Sequence, residues 1–208
     1  MGQTFGGFTD AEFDVFTIPG FPERMAEIRS RIRPRLLELA ADLAGPIAAV
    51  ADGEMFGHAA QHMRRRVNPP AETWAAFGRD RRGYKRWTHF RIAIRESGVR
   101  VTVFVEDDAD DKPTLALSLE CYGEPLLTAL GGNTGLHCDG LEAVEGAALV
   151  RLGRDLGRLK GTKFQAGVAL PRADVPGLGA AGLEAWVLDQ VRRLSPLYAA
   201  ATDPEWKP

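Results

Sequence analysis

Between residues 89 and 105 the chain adopts a two-residue rhythm, and this limits the possible folds more than any other feature. In His89–Arg95, the apolar residues Phe90, Ile92 and Ile94 alternate with His89, Arg91 and Arg95. In Val99–Val105, four valines alternate with Arg100, Thr102 and Phe104. Alternate side chains of a strand point to opposite faces, so each stretch reads as a strand with one apolar face. The two are joined at Ser97-Gly98. So short a connection makes antiparallel neighbours, because a parallel crossover needs a dozen or more residues. Thr114–Glu120 is predicted as the third strand of this meander. The acidic tip Glu106–Asp111 with Lys112-Pro113 would be the hairpin loop before it.

The flanking segments read differently. Thr9-Asp10-Ala11-Glu12 has capping-box spacing and predicts a short helix. Pro22 opens a helix expected to run to about residue 43, with Met25, Ile28, Ile32, Leu36, Leu39 and Leu43 at steps of three and four. Pro34 should kink it, and Gly45-Pro46 should end it. Residues 53–66 and Ala71–Phe77 are predicted helices on either side of the Asn68-Pro69-Pro70 break. Further on, Pro125–Leu130 reads as a helical turn, His137–Val144 as a strand and Ala147–Leu159 as a helix. Thr162–Leu170 reads as a strand and Ala180–Ala201 as the closing helix. The fold class this order predicts is α+β: a mostly antiparallel sheet with a central meander and helices packed on one face. With 208 residues, 45% apolar and 26% charged, the chain is expected to be a single α+β domain spanning 1–208.

Several function classes are excluded by composition. Cys121 and Cys138 form no C-x-x-C pair, so neither a zinc site nor a thiol redox motif is expected. No apolar run approaches the roughly 20 residues of a membrane helix, and the acidic start does not read as a signal peptide. The expected setting is cytoplasmic, with no membrane partner. No Walker loop, dinucleotide fingerprint or G-x-S-x-G turn is present. The sequence names no cofactor and leaves the oligomeric state open.

Charge is distributed very unevenly. Residues 58–95 carry ten Lys/Arg against two acids, a formal charge of +8 in a chain of net −2. His58, His62, His89, Trp74 and Trp87 lie in the same stretch. Such a segment predicts an anion-facing surface, expected as a cationic cleft around residues 58–90. Arginine's planar fork suits phosphate or carboxylate oxygens. Arg65, Arg66, Arg82 and Lys85 are the expected anion ligands, with His89 beside them. Tyr84 and Trp87 are expected to stack on a base, and Asn68 to add specific hydrogen bonds. The ligand would be an anionic small molecule, a nucleotide or a short single-stranded nucleic acid. In the competing reading these cations simply pair with surplus acids such as the 106–111 tip.

The alternative is a metal- or His-dependent enzyme acting on a small anionic substrate. On a helix, Glu54, His58 and His62 would form an i, i+4, i+8 column suited to acid–base work. Two imidazoles four apart can share a metal ion, with His89 or His137 as a third ligand. The column lacks the H-E-x-x-H pattern and is crowded by arginines, so no metal is assigned.

One stretch also carries a family resemblance. Its elements, in order, are Glu54-Met55-Phe56, His58, His62, Arg64-Arg65, Val67-Asn68-Pro69-Pro70, Trp74, Ala76-Phe77, Arg82-Gly83-Tyr84-Lys85 and His89-Phe90. This pattern resembles the YktB-like family of uncharacterised bacterial proteins, as does the opening Phe13-Asp14 and Phe16-Thr17-Ile18. The resemblance implies an α+β domain of bacterial origin and no known activity. Residues 121–150 depart most from the family pattern.

Overall fold

The two-residue rhythm forms the centre of a six-stranded sheet. The structure is a computed structural model that describes residues 4–63 and 66–208. Its strands are β1 (Phe56–Ala59), β2 (Glu72–Gly78), β3 (His89–Arg95), β4 (Gly98–Val105), β5 (Leu136–Cys138) and β6 (Phe164–Pro171). They lie in the order β1-β2-β3-β4-β6-β5. Every pairing is antiparallel. The register puts Phe77 opposite Phe90, Ile92 opposite Val101 and Val103 opposite Ala166, so these apolar residues share one face. All of them are buried in the core.

Helices cover that face. They are α1 (Asp10–Asp14), α2 (Phe21–Glu27), α3 (Arg33–Ala51), α4 (Lys112–Ala129), α5 (Gly146–Arg158) and α6 (Val175–Thr202). α3 packs on β1 and β2, α6 on β3, β4 and β6, and α4 on α5 and α6. The predicted α+β class with helices on one face is what the structure shows. No helix among the described residues is long and apolar enough to cross a membrane.

Five local expectations are corrected. The helix expected over 53–66 is not formed at 53–63, where β1 occupies 56–59 and 60–63 are irregular; residues 64 and 65 lie outside the described residues. A Cβ at Gly57 would come within 2.6 Å of the Ala40 carbonyl oxygen, so β1 lies backbone-close to α3, where only glycine fits. Ala71–Phe77 is likewise mostly strand, and its alanines Ala75 and Ala76 are fully buried. Thr114–Glu120 belongs to α4 rather than to a third meander strand. Lys112-Pro113 opens the helix, a position that tolerates proline because its missing N–H would be unpaired there anyway. The Pro22 helix does not end at Gly45-Pro46. A π-helical turn at Ile28–Ile32 precedes Pro34, and α3 continues to Ala51. The strand expected over His137–Val144 shortens to Leu136–Cys138.

Candidate functional site

Among the described residues no helix packs on the opposite face of the sheet, and the side chains there are polar and aromatic. β3 contributes His89 and Arg91, β4 contributes Thr102 and Phe104, and β6 contributes Gln165. β2 contributes Trp74 and β1 contributes His58. Five of these residues are fully or nearly fully buried: His89, Arg91, Thr102, Phe104 and Gln165. Ala76, Ala93, Gly167 and Ala169 alternate with them and keep the floor between them low.

Arg91 is at the centre. Its Cζ lies 3.4 Å from the Phe104 ring centroid and 4.1 Å from that of Trp74, so the guanidinium is held between two aromatic faces. Its Nη2 donates to His89 Nε2 at 3.4 Å. The nearest carboxylate, Glu106, is 3.7 Å away and is also bound by Lys163. Burial lowers the Arg91 pKa to about 10, which leaves it charged at neutral pH. Burial, reinforced by Arg91, lowers the His89 pKa to about 3. His89 is therefore neutral. Its Nδ1 donates to the Trp87 carbonyl at 3.0 Å, which leaves Nε2 free to accept from Arg91.

The β2–β3 connection, 79–88, closes over one end of this face. The Tyr84 ring lies 4.8 Å from His89 and 5.8 Å from His58, and its hydroxyl accepts a hydrogen bond from Trp74 Nε1 at 3.1 Å. Desolvation raises the Tyr84 pKa. The acidic stretch after β4 fastens the connection. The Asp111 carboxylate accepts from the Thr88 amide at 2.9 Å and from Arg79 at 2.9 Å. Burial nevertheless raises the Asp111 pKa above its ordinary value. Asp110 accepts from Arg86 Nε at 2.7 Å, while its own amide donates to the Arg86 carbonyl at 2.9 Å.

The expected site residues separate into groups. His58, Tyr84 and His89 come together as a row of rings. Trp87 is nearby, but its ring is covered by Arg79 at 3.9 Å and flanked by Arg86 at 5.4 Å. Lys85 is exposed, and Arg82 is 89% exposed with Asp80 at 3.8 Å. Arg66 and Asn68 are exposed on the segment between β1 and β2. Arg65 lies outside the described residues. For Arg79 and Arg86, pairing with the 106–111 acids is the arrangement found.

The Glu54–His58–His62 column is absent because it required a helix. In extended backbone a four-residue step covers about 13 Å. His58 Nε2 instead donates to the Asp80 carbonyl at 3.1 Å, and His62 Nε2 hydrogen-bonds Thr73 Oγ1 at 3.0 Å. Among the described residues no group of three His, Cys, Asp or Glu can hold a metal ion. His137, on β5 opposite Gly167, lines a cavity of about 610 Å³ with Arg95, Arg100, Asp139 and Glu142. Arg100 donates to Asp139 there at 3.2 Å.

Arg91, Thr102, Phe104, Glu106, Lys163 and Gln165 were not singled out from the sequence. The available signal was the polar set of the rhythm itself. In β3 and β4 it carries large polar or aromatic side chains at successive positions, more than a merely wetted face requires.

Fold and site together define a class: an α+β protein whose helix-free sheet face holds a buried cation beneath an aromatic connection. The chain belongs to the family described as Domain of unknown function (DUF1054), which matches residues 8–198. A UPF0637 protein of Bacillus velezensis is 30% identical over 198 residues, covering 92% of this chain and 94% of that one. A UPF0637 protein of Shouchella clausii is 44% identical over 88 residues, 42% of each chain. One from Bacillus mycoides is 43% identical over 92 residues, 44% of each. The YktB-like resemblance thus holds, and it brings no activity with it.

Proposed function

We propose that the protein binds a small organic anion on the helix-free face, with Arg91 as anchor and the 79–88 connection as rim. The observation that carries this reading is the state of Arg91. It is a buried cation whose nearest carboxylate is 3.7 Å away and shared with Lys163. Burying a charge is costly unless it is closely paired. An incoming anion would complete the pairing. A nucleotide fits this reading if its phosphates meet Arg82 and Lys85 on the rim. A single strand has less support, since Arg79 covers the Trp87 ring and Trp74 holds the Tyr84 hydroxyl. The thiols Cys121 and Cys138 are free, which suits a reducing, cytoplasmic setting.

Calorimetric titration of the full chain with small carboxylates and nucleoside monophosphates, at low and at raised salt, tests the reading. Saturable binding that weakens with salt is expected, and Arg91→Met should abolish it while lowering the melting midpoint by no more than about 4 °C. The reading fails if no anion binds, or if Arg91→Met binds as the parent does.

A further inference from the structure

Three side-chain atoms on the helix-free face, Arg91 Nε, Thr102 Oγ1 and Gln165 Nε2, are buried with no hydrogen-bond partner among the described residues. Their residues are 4%, 0% and 6% exposed. They belong to three adjacent strands and one face. Arg91 is opposite Thr102, Thr102 is opposite Gly167, and Gln165 is one side-chain step along β6 from Gly167. A Cβ at Gly167 would come within 2.6 Å of Thr102 Cα, so β4 and β6 are in close backbone contact here and the glycine offers no side-chain acceptor to Thr102 Oγ1. Buried polar groups are nearly always satisfied, and a cluster of three that are not calls for a cause.

The chemistry of the atoms specifies the missing partner. An arginine Nε and an amide Nε2 only donate, and a threonine hydroxyl can donate. The partner must therefore be a group of acceptors with several lone pairs. Charge narrows it further. Glu106 is shared by two cations, Arg91 and Lys163, so this pocket has one positive charge in excess. A monoanion balances it. A phosphate monoester dianion would leave an uncompensated negative charge beside Glu106 in a dry site.

We propose that this face takes the carboxylate of a small organic acid, and that Thr102 and Gln165 are the specificity-determining donors beside Arg91. The proposal rests on the anion reading above and names its chemical class. The rest of the acid runs over Gly167 and Ala169 toward the cavity of about 610 Å³, where Arg100 is already neutralised by Asp139. An uncharged tail suits that end.

The test is an NMR titration of the full chain with sodium butyrate, butyramide and butyl phosphate, following the Gln165 side-chain amide and the Arg91 Nε–H. Butyrate should shift both signals saturably. Butyramide should leave them in place, and butyl phosphate should bind about tenfold more weakly or worse. The near-isosteric Thr102→Val and Gln165→Met should each lose about tenfold in butyrate affinity while keeping the parent amide spectrum elsewhere. If butyl phosphate matches butyrate at these signals, the carboxylate assignment falls and the anion reading stands. If butyrate binds Thr102→Val and Gln165→Met as it binds the parent, the assigned donors are wrong. If no anion moves either signal, the three atoms hold water only and both readings fall.

Discussion

Strand β3 separates two environments. On one side Phe90, Ile92 and Ile94 meet the helices, with Phe90 stacked on Tyr198 at 4.8 Å and 20°. On the other side His89 and Arg91 are as deeply buried, yet they sit among rings, a carboxylate shared with Lys163, and unsatisfied donors. Both faces exclude water, but only the first gains stability from doing so. Apolar burial is favourable roughly in proportion to area, whereas burying an arginine gains little even when it is paired. This difference between the two faces of one strand is what the proposed anion site rests on.

Substitutions on β3 and its rim can break or sharpen this contrast. The largest effect is expected from Phe90→Ala, which should cost about 3–5 kcal/mol of stability in a urea melt. Arg91→Met, one residue away, should cost under about 1 kcal/mol, because the Trp74–Phe104 slot accepts an apolar chain and Glu106 keeps Lys163. If the two variants are equally destabilised, the contrast is wrong.

The second effect is one of pH. The folded pKa of His89 is depressed to about 3 from an ordinary 6.5, so between these values the unfolded chain binds a proton that the folded chain does not. Stability should therefore fall as pH drops through that window, by at most about 1.4 kcal/mol per pH unit from this group. His89→Gln should flatten the stability–pH curve by that amount relative to the parent. An unchanged slope would mean that His89 is not buried in its neutral form. The smallest effect is expected from Arg82→Ala on the exposed rim, which should shift stability by less than about 0.5 kcal/mol. A larger loss would show that the rim, too, is structural.

Much of this arrangement was legible from the chain. β3, β4, β6, α5 and α6 follow directly from their periodicities, and the one-sided packing follows from their order. The failures share a cause. Residues 54–66 and 71–77 are rich in helix formers, with Met55, Ala59 and Met63 at four-residue steps. Pairing with β3 and close contact with α3 override that preference, and the small residues Gly57, Ala75 and Ala76 serve tight packing instead. Thr114–Glu120 fails in the opposite sense. Its leucines alternate like a strand, but the helix buries Leu115 and Leu119 and leaves Leu117 62% exposed. At the site, the +8 stretch marked the right neighbourhood but overstated the free charge. Asp110 and Asp111, 24 and 32 residues from Arg86 and Arg79, neutralise part of it, and that pairing appears only in three dimensions. The polar atoms that matter most, on Thr102 and Gln165, sit on strands whose sequences look ordinary.

The outermost strands of the sheet are stubs, four residues in β1 and three in β5. A strand that borders solvent presents unpaired amides and carbonyls, on which another chain can extend the ladder. Here an intruder would find only a few such groups on either flank before the backbone turns away. The long, strongly apolar β3 and β4 are sequestered in the interior of the sheet. The order of the strands thus keeps the most apolar ladders away from any intruding chain.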